Sequence, residues 1–85
     1  MDVNYDMLPE HMREPLRDYV ERGEAVGGFL TAVLSNNLVD AFGYADQTNK
    51  AAMESYAQWL YNECPRKAWG SIEKVIAWRE AKGDL

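Results

Sequence analysis

The feature that most restricts the fold of this chain is the spacing of its apolar residues, which recur three and four positions apart in almost every window. That is the period of a helix buried on one side, whereas a half-buried strand alternates. Leu8, Met12, Leu16, Tyr19 and Val20 follow one another at four, four, three and one, which places them on one stripe. Ala52, Met53, Tyr56, Trp59, Leu60 and Cys64 make a second stripe. The runs are often interrupted, by Gly23, Gly27 and Gly28, Asn36 and Asn37, Gly43 and Pro65. Helices this short are held by packing rather than by their own propensity. The spacing therefore predicts an all-α fold: a compact single-domain bundle of four to five short helices over residues 1–85. The one alternating stretch, Val3, Tyr5 and Met7, predicts an extended lead laid against the domain.

The individual helices can be placed in turn. Pro9 suits the first turn of a helix that ends at Gly23, and Glu14 with Arg17 and Asp18 with Arg22 are spaced to pair on its outer face. Pro15 predicts a kink or a fresh start within it. Phe29, Leu30, Val33 and Leu34 give a central buried helix, broken by Asn36 and Asn37. A second short helix then carries Leu38, Val39 and Phe42 inward and is limited by Gly43. Asp46 caps the longest helix, over about 47–63, and Pro65 stops it. Ser71 caps the last helix, with Ile72, Val75, Ile76 and Arg79 on one side, Trp78 beside them and Gly83 closing it.

Composition narrows the function classes. The chain is 47% hydrophobic and 12% aromatic over 85 residues, enough apolar surface to order one small core. Its only cysteine, Cys64, has no internal partner, which fits a reducing compartment. The opening MDVNYDML has no base, and no apolar run nears the eighteen or so residues of a membrane span. These features predict a cytosolic protein with no membrane partner. The net charge is −5, which argues against nucleic acid as a partner, because phosphate-binding surfaces need clustered Lys and Arg. The balance is uneven, however: residues 66–85 carry five bases against three acids.

No catalytic pattern is visible. The only histidine is His11, and neither it nor Cys64 sits in a motif or at the paired spacing that structural zinc requires. Neither catalytic residues, nor a metal, nor a cofactor is expected, and the protein is not read as an enzyme. Glu10, Glu14 and Asp18 recur every four residues but alternate with Arg13 and Arg17, the pattern of a solvated helix face.

One stretch has the parts of a binding site. In ECPRKAWGSIEK, residues 63–74, Arg66 and Lys67 precede an indole at Trp69, and Gly70 and Ser71 come just before a helix start. The first turn of a helix leaves backbone N–H groups unpaired, so Gly70, Ser71 and Ile72 can offer donors to an anion beside the two bases, and Trp69 can stack on an attached ring. The competing reading is that Ser71 only caps its helix, Trp69 fills the core and the bases are solvated. Tyr61 is also hard to place inside, and with the Asn36 and Asn37 corner it completes the candidate surface. Surplus aromatics on so small a domain predict self-association as a homo-oligomer.

Several segments together carry a family resemblance. LPEHM at 8–12, YVERG at 19–23, GGFLTAVLSNNL at 27–38, Ala45 and Asp46 with Asn49, LYNECP at 60–65 and WGS at 69–71 resemble a family of short accessory proteins of bacteriophages and prophages, in order and over nearly the whole chain. The family pattern has an acid where this chain has Asn37, and a glycine or another residue where it has Pro15. The resemblance implies a viral accessory protein in the cytoplasm of an infected or lysogenic host. It further implies action by occupancy against a host process such as defence, either on a host protein or by sequestering an anionic small molecule such as a nucleotide. Two other roles compete: a helical DNA-binding regulator with Lys74, Arg79 and Lys82 outward on the last helix, and a virion structural or assembly component.

Overall fold

The computed structural model describes residues 3–83, and all regular structure among them is helical. Six α-helices follow in order: α1 (Glu10–Arg22), α2 (Gly28–Leu34), α3 (Leu38–Tyr44), α4 (Gln47–Ala51), α5 (Met53–Asn62) and α6 (Ile72–Ala81), with one 3-10 turn (Arg66–Ala68) between the last two. The all-α expectation holds, with one helix more than the four to five predicted. The extra one arises because the predicted 47–63 helix bends at Ala52, where φ is −99° and ψ 7°. Across that bend the Tyr56 hydroxyl donates to Oδ1 of Asn49 at 2.7 Å, which gives the buried side chain of Asn49 a partner.

Helix α2 lies at the centre, with Phe29, Leu30, Ala32, Val33 and Leu34 all buried, and packs against α3 and α6. Around it sit Leu8, Leu16, Tyr19 and Val20 from the start of the chain and α1, and Tyr56, Trp59, Leu60 and Cys64 from α5 and its end. The Phe29 and Tyr56 rings meet edge to face at 5.2 Å, a favoured aromatic geometry. Three aromatic donors cross-link the layers. Tyr19 O–H donates to the Ala68 carbonyl at 2.6 Å, Trp59 Nε1 to the Asn4 carbonyl at 2.9 Å, and Trp78 Nε1 to the carbonyls of Tyr19 and Val20 at 3.1 and 3.2 Å.

Several expectations need correction. Pro15 starts no fresh helix: α1 runs through it, because the buried Leu16, Tyr19 and Val20 hold the turns beyond it and the unpartnered carbonyl belongs to His11 on the exposed side. Arg17 does not pair with Glu14. Its guanidinium lies 5.0 Å from the centre of the Tyr5 ring, and the ion pairs among the described residues are those of Arg22 with Asp18 and Glu24. In the lead, Tyr5 is buried and Val3 half-buried, but Met7 is exposed. Leu38, Val39 and Phe42 are not inward either; they are 64%, 79% and 43% exposed. The residue that faces α2 is Ala41, whose single methyl lets the two helices approach closely. On α6, Val75 is buried while Ile72 and Ile76 are exposed, since the helix is turned so that Trp78 reaches the end of α1. No helix among the described residues is long and apolar enough to cross a membrane.

Candidate functional site

Three helix ends meet on one side of the molecule. At the end of α2, Asn36 adopts φ 61°, the left-handed conformation that asparagine tolerates better than other side-chain-bearing residues. Its N–H donates to the Val33 carbonyl at 3.1 Å and that of Asn37 to the Ala32 carbonyl at 2.9 Å, the paired bonds of a Schellman turn with asparagine where glycine is usual. The chain then turns at once into α3, with Asn37 as its cap: Oδ1 accepts from the Asp40 N–H at 3.1 Å and Nδ2 donates to Asp40 Oδ2 at 2.8 Å. Both polar ends of Asn37 are thereby engaged, and only Asn36 is left facing the cleft.

The stretch after α5 closes against this corner. Pro65 leads into the 3-10 turn, whose Ala68 carbonyl is held by Tyr19. Gly70 donates its N–H to the Leu34 carbonyl at 2.7 Å, satisfying one of the acceptors left over at the end of α2. Gly70 has φ 124°, a backbone conformation that side chains disfavour. Ser71 caps α6, its Oγ accepting from the Lys74 N–H at 3.2 Å.

Between these ends lies a cleft of about 330 Å³ lined by Asn36, Tyr61, Arg66, Trp69, Gly70 and Lys74. Five of the eight residues singled out in the sequence thus come together. Lys67 is exposed on the 3-10 turn outside the cleft, Ser71 is half-buried in its capping role, and Asn37 lies on the far sides of the corner. The expected cradle of backbone donors is altered as well, because the Gly70 amide is taken by Leu34. The positive groups here are side chains.

Lys74 is the site residue that sequence reasoning placed elsewhere. It is the third residue of α6, and helical side chains lean toward the N-terminus, so it folds back over the cap. A methyl group placed on Gly70 would stand 3.4 Å from Lys74 Nζ. The usable signal was a lysine in the first turn of a helix, where the dipole favours an acid. Among the described residues, Arg66 and Lys74 make no ion pair and no side-chain hydrogen bond, and no carboxylate lines the cleft. In a chain of net charge −5, that is a positive spot with no counter-charge among the described residues. Tyr61 stands 77% exposed at one wall. Trp69 is half-buried and packed on the core, with its N–H shielded and without an acceptor among the described residues. The ring therefore packs against the core on one side and lines the cleft on the other.

The remaining reactive groups are placed differently. Cys64 is buried, and burial pushes its thiol up to about 12, far above the range in which a thiolate forms near neutrality. Arg79 is half-buried, with Nε donating to the Gly23 carbonyl at 3.0 Å, and Lys82 Nζ stands 4.6 Å over the Trp78 ring. Of the three bases expected outward on the last helix, Lys74 and Lys82 are exposed and Arg79 is half-buried. Comparison with protein-family models, with curated proteins and with solved structures finds no match for the chain.

Proposed function

We propose that this is a non-catalytic binding protein whose cleft between the ends of α2 and α5 and the start of α6 takes an anionic small ligand carrying a planar ring. Nucleotides are the class that joins those two properties. The observation that carries the reading is the convergence of two cations, Arg66 and Lys74, that have no ion-pair partner among the described residues, in a cleft where none of the described lining residues is a carboxylate. Arginine suits the two-point recognition of a phosphate and lysine acts as a point charge beside it. Tyr61, Trp69 and the amide of Asn36 supply a stacking surface and polar contacts for the rest of the ligand. Together with the resemblance to phage accessory proteins, this favours sequestration of a host nucleotide-type ligand, antagonising a host process such as defence, over action on a host protein.

Calorimetric titration of the purified protein with inorganic phosphate and a panel of nucleotides tests the proposal. Arg66→Glu and Lys74→Glu each alter an exposed side chain, so the fold is retained. Each should weaken binding by about 10- to 100-fold, the value of one charge-assisted contact. Binding that is absent across the panel, or indifferent to both substitutions, refutes it; a host protein captured by the same surface would then take precedence.

A further inference from the structure

Arg66 and Lys74 bear on the form in which the cleft takes a phosphate. A methyl group at Gly70 would stand 3.4 Å from both Cδ and Nζ of Lys74, so the end of that side chain lies against the backbone of the cleft. Arg66 lines the same cleft, and neither cation has an ion-pair partner among the described residues. An arginine or a lysine contacts a phosphate through its charged oxygens. Mg²⁺ binds nucleoside di- and triphosphates through those same oxygens, and sites that take a nucleotide together with its metal place carboxylates beside the phosphates to hold the ion.

Resting on the ligand class proposed above, we infer that the cleft selects phosphates free of metal: monoesters or diesters carrying one or two negative charges, in preference to the Mg²⁺ complexes of di- and triphosphates. Charge is the first reason. Two cations balance a phosphate of that charge, whereas a dication on the same oxygens is repelled by both and occupies the positions that their N–H donors need. No carboxylate among the described lining residues offsets that repulsion. Room is the second reason. The cleft, at about 330 Å³, stands near the lower end of small-molecule sites, which run from roughly 300 to 1,000 Å³. A ring and one phosphate therefore leave little space for further phosphates and a hydrated metal. Where Mg²⁺ is present, such a cleft passes over the metal complexes and takes the phosphates that hold Mg²⁺ weakly.

Titration calorimetry of the full chain with adenosine monophosphate and adenosine triphosphate, each in EDTA and again in millimolar Mg²⁺, makes the test. Mg²⁺ should weaken triphosphate binding by about 10-fold, the loss of one charge-assisted contact, and leave monophosphate binding unchanged. Triphosphate that binds in neither buffer while the monophosphate binds in both supports the same selection. Triphosphate affinity that Mg²⁺ raises or leaves unchanged overturns this inference, while the anionic ligand proposed above stands. Binding of neither nucleotide in either buffer overturns both, as does binding that Arg66→Glu and Lys74→Glu leave intact, since the phosphate is then held elsewhere.

Discussion

Replacing Gly23 by alanine tests the packing that holds α6, and with it Lys74, in place. Gly23 ends α1 with φ 71°, and an L-residue in that region costs about 1–2 kcal/mol. A Cβ there would also stand 2.6 Å from the Cβ of Lys82 and 3.2 Å from the Cα and carbonyl oxygen of Arg79. These atoms belong to the backbone and the root of a side chain, so no rotamer change relieves them, and α6 must retreat from α1. The retreat stretches the bonds from Trp78 Nε1 to Tyr19 and Val20 and from Arg79 to Gly23, for a further loss of about 1–2 kcal/mol. The total is about 2–4 kcal/mol. In a domain of this size each kcal/mol moves the melting temperature by about 4–8 °C, so Gly23→Ala should melt about 10–25 °C below wild type. Gly43→Ala is the control: it lies within α3, and a Cβ there meets nothing within 4 Å. It should gain about 0.5–1 kcal/mol from helix propensity. Melts followed by circular dichroism, with urea midpoints beside them, make the comparison. A Gly23→Ala protein melting within about 3 °C of wild type would refute the close approach of α6 to α1.

Two further outcomes are expected. Tyr19→Phe removes the donor that holds the Ala68 carbonyl inside the protein, so it should lose about 1–3 kcal/mol by urea titration; a loss below about 0.5 kcal/mol would show that the carbonyl finds water instead. Stability should also fall in alkali. Burial pushes the Cys64 thiol from its ordinary 9.0 and the Tyr5 phenol from 10.0 up to about 12, so the folded chain keeps protons that the unfolded chain has already released. That contribution is complete below pH 9 and declines as pH rises through 9 to 12. A urea midpoint that rises between pH 9 and about 10.5 would contradict the burial of these groups.

The parts of the fold legible in the sequence are those decided locally. Asp46 and Ser71 cap helices as expected, with side chains accepting from Asn49 and Lys74, and Gly23 ends α1 in the left-handed conformation. The face that a short helix buries is a different matter. Leu38, Val39 and Phe42 form an acceptable stripe, yet in a helix of 7 residues the choice of inner face falls to whichever side lets α2 come closest, and Ala41 does so best. Apolar residues are permitted outside, and only a buried polar group is forced to find a partner. On α6 the need of Trp78 Nε1 for carbonyl acceptors on α1 turns the helix away from the side suggested by Ile72 and Ile76. Asn36, Tyr61, Arg66 and Gly70 were legible as candidates because each is a residue that the core has no use for, and Trp69 because it stands between two bases and a helix start. Their convergence with Lys74 was not, since it depends on a bond between residues 34 and 70 that no local pattern records.

That bond also bears on how well such a cleft can hold a ligand. Arg66 and Lys74 are long, flexible side chains, and ordering each on binding costs about 0.5–1.5 kcal/mol. The backbone beneath them adds little to this cost, because it is already tied down at three points. Gly70 is bonded to Leu34 and Ala68 to Tyr19, and Asn36 sits in the paired turn that ends α2. Two of these ties run to the end of α2 and one to α1, so the 3-10 turn and the start of α6 keep their place against α2 whether or not an anion is present. Residual freedom is confined to the two cationic side chains and the exposed ring of Tyr61. A cleft built in this way binds by small movements of side chains on a fixed frame, and its affinity should respond to Arg66, Lys74 and Tyr61 far more than to substitutions in the loops around it.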